Sequence, residues 1–314
     1  MLPGPMNRSG KLHALLSTAR VANIPSVVSN VWLGVALGIL SNDVVVVLNI
    51  PWNSASSLAL AGVSLYVAGN FFNDWMDRGW DAEHRPERAL PRGLFPAGFY
   101  AGLAVVLGLL GVGLAATVNT HCAIIAGIIV ACICIYTVWH KKSAWAVIPM
   151  GLCRALLPVM GFAAFHPDPN GIWPAALGLF CYIMGLSLSA RYESMTEPPQ
   201  RVAVMARGLL LATVILMARQ HTATQQSLLI GIAGAAPYLI WTGTCLKFRR
   251  KPVSALVCGL LAGIPLVDWM VLLPVFLSLA GSGAGWSGFA IASFVIPPLA
   301  FISALLLQRL APAT

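Results

Sequence analysis

Hydrophobic residues run through this chain in blocks rather than in alternation, and few polar residues separate the blocks. Ten blocks are read, at 21–40, 55–73, 94–116, 121–139, 145–164, 172–190, 203–218, 227–246, 254–279 and 286–308. About 20 apolar residues let an α-helix cross a bilayer, so each block predicts one crossing and the fold class is an all-α, polytopic transmembrane helical bundle. No small-residue cleavage site follows the first block, which is read as a retained helix rather than a signal peptide. Without separate soluble domains, low-complexity segments or linkers, 1–314 reads as a single integral-membrane domain.

Composition sharpens this picture. Only 9% of the residues are charged and 58% are hydrophobic, whereas a soluble domain carries about 25% charged residues. The net charge of +9 does not call for nucleic acid, because basic residues gather in the cytoplasmic loops of membrane proteins. With the N-terminus placed inside, seventeen lysines and arginines fall in inside segments, Arg219 falls outside, and Arg154 lies within the fifth block. That bias supports an even number of spans, this orientation, and a cell inner (plasma) membrane with the acidic stretches on its cytoplasmic side. The seven cysteines lie in or at the ends of apolar blocks without a CxxC pair, which favours small buried hydrophobes over disulfides or a metal site. The scattered histidines suggest no ligand role.

Two polar stretches on the inside break the pattern. After the second block, "NFFNDWMDRGWDAEHRPERALPRG" places Asp74, Asp77, Asp81 and Glu83 beside Arg78, Arg85, Arg88 and Arg92. On a helix the three aspartates fall within about 60° of one another. Such carboxylates repel unless a cation lies between them, and magnesium, which joins one or two carboxylates to phosphate oxygens, suits the arrangement. Pro86, Pro91 and Gly93 turn the following arginines into a cationic loop of the kind a diphosphate needs. The bland alternative is a solvated helix end with ordinary positive-inside charge, but phased acids have no place in such a loop.

Asn73-Asp74-x-x-Asp77-x-x-x-Asp81 is similar to the first aspartate-rich motif, NDxxDxxxD, of the UbiA superfamily of intramembrane prenyltransferases. "RPERALPRG" resembles that family's basic loop, with Ala89 where proline is usual, and "ARVANIPSVVSNVWLG" resembles its first helix, with Arg20 and Asn23 at the entrance. The resemblance implies a bundle of usually nine spans around a central cavity, so nine or ten are expected here. It also implies two acidic motifs that hold Mg2+ and the diphosphate of a prenyl donor.

The second motif departs from the family's DxxxD. "ARYESMTEPP" offers Glu193-x-x-x-Glu197, which a helix would place about 40° apart, although Pro198 and Pro199 can turn Glu197 away. Three readings stand: a second magnesium site, Glu193 acting with Arg191 alone, or loss of metal-dependent chemistry. The AR-x-E ending is similar to the EboC-like branch.

Charge at membrane depth is costly and usually faces a cavity. Arg154 could contact the donor diphosphate, neutralise the acids, or pair with a buried acid such as Asp268. Asn30 and Asn70 could line the cavity or bridge helices. Tyr66, Phe71, Trp75, Tyr182 and Tyr192 could wall a carbocation, but an interfacial aromatic belt is the default.

The expected function is Mg2+-dependent transfer of a polyprenyl group from an allylic diphosphate to a lipophilic acceptor within the membrane. Asp74, Asp77 and Asp81 are the catalytic and metal-binding candidates, with Glu193 and Glu197 as further metal ligands. Asn23, Asn73, Arg85, Arg88, Lys142, Arg154, Arg191 and Tyr192 are the candidate substrate contacts. The alternatives are a secondary transporter, which predicts broken midplane helices, and a non-catalytic isoprenoid-binding relative. A phosphatidyl-type alcohol phosphotransferase lacks its DGxxAR…GxxxDxxxD signature here.

Overall fold

The computed structural model describes residues 8–41, 50–141, 143–166, 168–192, 199–223, 228–281 and 287–311, which are entirely helices and connecting turns. A short helix, α1 (Arg8–Thr18), precedes a 3-10 turn (Val21–Asn23) that runs into α2 (Ile24–Leu40). The chain continues through α3 (Trp52–His84), α4 (Ala97–Ala116), α5 (Thr120–Trp139), α6 (Val147–Ala163) and α7 (Trp173–Ala190). It ends with α8 (Gln200–Ala223), α9 (Leu228–Phe248), α10 (Val253–Gly281) and α11 (Gly288–Leu307).

Among the described residues nine helices are long and apolar enough to cross a membrane, and the apolar α6 is one step shorter at 17 residues. Each of the ten predicted blocks therefore corresponds to a helix. The ends are set by local chemistry: the Asn119 side chain accepts from the Cys122 amide at the start of α5, and Ser287 does the same for Ala290 at α11. Prolines open α2 and α7, where the missing amide proton costs nothing.

The largest difference from expectation is the length of α3. Its apolar block stops near residue 73, yet the helix continues to His84 for 33 residues, about 50 Å, against the ~30 Å of hydrocarbon in a bilayer. Charged side chains do not end a helix. Pro86 does, because the residue before a proline is pushed out of the helical region, and Arg85 adopts φ −141°, ψ 60°. The last three turns of α3, carrying the aspartates, thus project beyond the apolar segment, and Gly93 at φ +67° closes the loop that returns the chain to α4.

Helices α2 and α10 are buried along most of their length, whereas α4, α5, α8 and α9 present outward faces such as Val105, Leu109, Ile128, Leu211 and Leu229. An apolar outer ring is what lipid requires. The tightest seam joins α2 to α6: a Cβ at Gly34 would overlap the Pro158 carbonyl, and one at Gly161 would overlap that of Val31. Small residues let two backbones meet this way in membrane bundles.

Filling the seam should be disruptive because the obstacles are backbone atoms that cannot swing aside. Gly161→Val is expected to cost more than the ~1–3 kcal/mol of ordinary overpacking, visible as loss of a monodisperse peak and a lower melting temperature in detergent. Gly113→Ala on α4, with open space around it, is expected to behave like wild type.

Candidate active site

A cavity of about 600 Å³ runs from the projecting end of α3 into the bundle. Its mouth is polar, with Asn73, Asp77, Asp81, Arg85, Arg88, His140, Lys141 and Arg191. Deeper in, it is walled by Leu65, Ile129, Ile133, Leu157, Ile183, Val257 and Ile264, with Arg154 and Tyr66 among them. A second cavity, about 660 Å³, lies between α1 and the basic loop and shares Arg20, Arg85 and Arg88 with the first. Arg20 holds a left-handed backbone (φ 47°, ψ 52°), uncommon for a residue with a side chain, at the bend between α1 and the 3-10 turn.

The aspartates share a helix face as the spacing predicts, but they do not converge on one point. Arg88 bridges two of them, donating from Nη1 to Asp74 at 3.1 Å and to Asp81 at 2.9 Å. Asp77 stands apart, 2.6 Å from Lys141 Nζ and 3.1 Å from His140 Nε2. Among the described residues no group of three His, Cys, Asp or Glu side chains is gathered closely enough to hold a metal ion. The cation expected between the carboxylates is here the Arg88 guanidinium.

The electrostatics follow from these partners, which lie beyond the apolar part of α3. Burial raises the Asp74 carboxyl above its ordinary value, only partly offset by Arg88 and Arg20. Burial acts in the same direction on Asp77, but hydrogen bonds from His140 and Lys141 outweigh it and hold that carboxyl below its ordinary value. Asp77 is therefore ionised at neutral pH.

The donor chemistry fits a hard divalent cation. Asp77 and Asp81 offer carboxylate oxygens at the mouth, and the Asn73 amide donates to Asp77 at 3.2 Å while its own buried Oδ1 has no hydrogen-bond partner among the described residues. All are the oxygen ligands that magnesium prefers.

Arg154 lies elsewhere. It sits seven residues into α6, about 10 Å from the helix start, and Nη1 donates to Ser26 Oγ at 3.0 Å and Asn30 Oδ1 at 3.3 Å. Asn30 donates in turn to both oxygens of the fully buried Asp268, at 3.0 and 2.9 Å, and Ser29 adds a bond of 2.5 Å. Of the roles expected for Arg154, neutralising the aspartates is not what the geometry shows. Asp268 is coupled to it through Asn30 rather than by a direct ion pair. Asn30 bridges helices, while Asn70 does both things considered for it, lining the cavity and donating to the Ala19 carbonyl at 3.1 Å.

Other candidates divide. Asn23, Arg85 and Arg191 line the cavity, and Arg191 donates to the His140 carbonyl at 3.0 Å. Tyr192 is not among the lining residues. Lys142, Glu193 and Glu197 lie outside the described residues. The belt reading of the aromatics is corrected at two positions: Tyr66 faces the cavity with the Arg154 guanidinium 5.0 Å from its ring, and Tyr182 is fully buried, donating to the Leu260 carbonyl at 2.7 Å. Sequence reasoning missed His140 and Tyr136. Their signal was position, since Tyr136 stands on the last turn of the fourth block and His140 just past its end, beside Lys141, which itself reaches Asp77.

Comparison with known proteins bears on the family and the fold. Residues 44–197 match the UbiA prenyltransferase family. Over 192 residues the chain is 30% identical to the digeranylgeranylglyceryl phosphate synthase of Halobacterium salinarum, covering 60% of this chain and 67% of that enzyme. The chain belongs to the UbiA prenyltransferase family. Its fold resembles that of a solved digeranylgeranylglyceryl phosphate synthase (TM-score 0.56, 17% identity, 97% of this chain and 99% of that one). It also resembles a UbiA homologue from Aeropyrum pernix K1 (TM-score 0.51, 13% identity, 91% and 98%). A third similar fold is a UbiA homologue from Archaeoglobus fulgidus bound to GPP and Mg2+ (TM-score 0.50, 14% identity, 94% and 99%). As a UbiA family member the chain is an integral, multi-pass membrane prenyltransferase, and nothing favours a transporter.

Removing Asp268 should expose how strongly the buried network depends on charge balance. Asp268→Ala leaves Arg154 uncompensated in a low-dielectric interior and is expected to cost on the order of 3 kcal/mol, read as a drop in melting temperature by intrinsic fluorescence. A variant that melts with wild type would show that the carboxylate does not balance the guanidinium.

Proposed function

We propose that the cavity binds an allylic prenyl diphosphate with its headgroup at the polar mouth and its tail along the apolar wall, and transfers the prenyl group to a lipophilic acceptor. The observation that carries this reading is the gradient within one cavity, from Asp77, Asp81, Arg88 and Lys141 at the mouth to Leu157 and Ile264 at depth. A diphosphate and a hydrocarbon chain on one molecule match those two ends.

Asp77 and Asp81, with the Asn73 carbonyl oxygen and Asp74 beside them, are the groups that would hold Mg2+. When bound, that ion supplies neutralisation of the charge that builds on a departing diphosphate. Arg85, Arg88, Lys141 and Arg191 face the same space and would bind phosphate oxygens, strengthening as the allylic C–O bond breaks. The prenyl C1 then bonds to the acceptor nucleophile, the electron pair of the broken bond leaves with the diphosphate, and the acceptor loses a proton. The buried walls exclude water that would otherwise capture the allylic cation. Glu193 and Glu197 follow the end of α7, and we assign them as further metal ligands on the resemblance alone. Tyr192 and Lys142 stay as substrate contacts from their places in the sequence, near the inner ends of the apolar blocks.

The bias of lysines and arginines toward the side bearing the aspartates supports a cytoplasmic mouth. The donor headgroup would then enter from the aqueous side while its tail remains in the bilayer.

Purified protein incubated with labelled prenyl diphosphates and an acceptor extract should release diphosphate with Mg2+ and stop with chelator. Asp77→Ala and Asp81→Ala are expected to lower the rate by roughly 100-fold or more, as removal of a charge-stabilising group does. Release at the wild-type rate in both variants would defeat the assignment.

A further inference from the structure

We propose that Arg154 is the anchor for an anionic oxygen group, a carboxylate or a phosphate, on the acceptor, in a subsite distinct from the donor's diphosphate clamp. This inference rests on the prenyl-transfer reading and deepens it by naming the acceptor's chemistry.

Depth separates the two sites. Tyr66, whose ring faces the Arg154 guanidinium at 5.0 Å, stands eleven residues before Asp77 on α3, about 16 Å along the axis. Arg154 bonds to Ser26 and Asn30, not to the aspartates that form the mouth. A diphosphate held by Asp77, Asp81 and Arg88 has no need of it.

The guanidinium is presented rather than sequestered. It is only 7% exposed, yet it lines the cavity, so what exposure it has is toward substrate. Both bonds come from Nη1, leaving Nη2 and Nε without a partner among the described residues, and neither is closed off as a buried unsatisfied atom. The tyrosine ring covers the face of the group, which leaves its N–H edge, where guanidinium binds oxyanions in a planar fork.

Charge supplies the reason for an anion rather than a neutral hydroxyl. A guanidinium is cationic, and Asp268 compensates it only at one remove, through Asn30. A bare guanidinium would also repel an allylic cation forming in the same apolar chamber. An acceptor oxyanion seated on Arg154 cancels that repulsion and fixes the acceptor within the cavity, with its nucleophile directed toward the donor's C1.

The test uses full-length protein in nanodiscs, with binding of dodecanoate, dodecyl phosphate and dodecanol measured after subtraction of empty nanodiscs, and geranyl diphosphate with Mg2+ as the donor probe. Because Arg154→Gln alone strands Asp268, the variant is Arg154→Gln with Asp268→Asn, which removes both charges together. Wild type should prefer at least one anion over the alcohol by about tenfold or more, with the preferred anion identifying carboxylate or phosphate. The double variant should bind all three amphiphiles alike while holding geranyl diphosphate as wild type does; Arg154→Lys should keep part of the preference. Equal binding of the three by wild type would overturn the proposal, as would loss of geranyl diphosphate binding in the double variant, which would place Arg154 in the donor clamp. If wild type binds no geranyl diphosphate but retains an Arg154-dependent preference, the donor assignment fails and the anion subsite stands.

Discussion

A charge withdrawn from water must be compensated by its neighbours, and the arrangement of this protein follows from how that is done at two depths. At the projecting end of α3, three aspartates are neutralised by basic side chains from other segments, Arg88 from the following loop and His140 with Lys141 from the end of α5. Farther in, Arg154 and Asp268 share Asn30, with Ser26 on the guanidinium and Ser29 on the carboxylate. Each cluster ties together helices that hydrophobicity alone would leave without register, since lipid and leucine are equally apolar surroundings for a helix face.

The two clusters differ in what they leave available. At the mouth the compensating groups are mobile in kind, long side chains on loops and helix ends that can exchange a carboxylate for a phosphate without moving backbone. In the interior the partners of the guanidinium are short, Ser26 and Asn30 on one helix, so it is held in place. Catalysis by charge stabilisation needs both: groups that follow the departing anion, and a rigid surround that does not reorganise as charge moves.

Much of this was legible before any coordinates. Ten apolar blocks correspond to ten helices because a crossing needs a fixed length of apolar residues, a signal that survives without tertiary information. The aspartate spacing identified the polar mouth for a similar reason, since helical phase is local. What stayed hidden depends on contacts far apart in the chain. Asp268 meets Ser29 across 239 residues, and no local pattern pairs them. His140 read as one of six scattered histidines until α5 was placed beside α3. Tyr66 and Tyr182 resemble belt residues in sequence because a ring at a helix end looks the same whether it faces headgroups, a cavity or a core.

The glycine seam between α2 and α6 reaches beyond stability. With Gly34 and Gly161 setting one backbone against the other, the partition that carries Asn30 and Arg154 behaves as a single plate. The opposite panel is set by side chains instead: Ile129 and Ile133 of α5 line the chamber, with Ile133 packed against Gly69. A change in the chamber's size therefore falls to those side chains, while the polar fixture opposite keeps its aim.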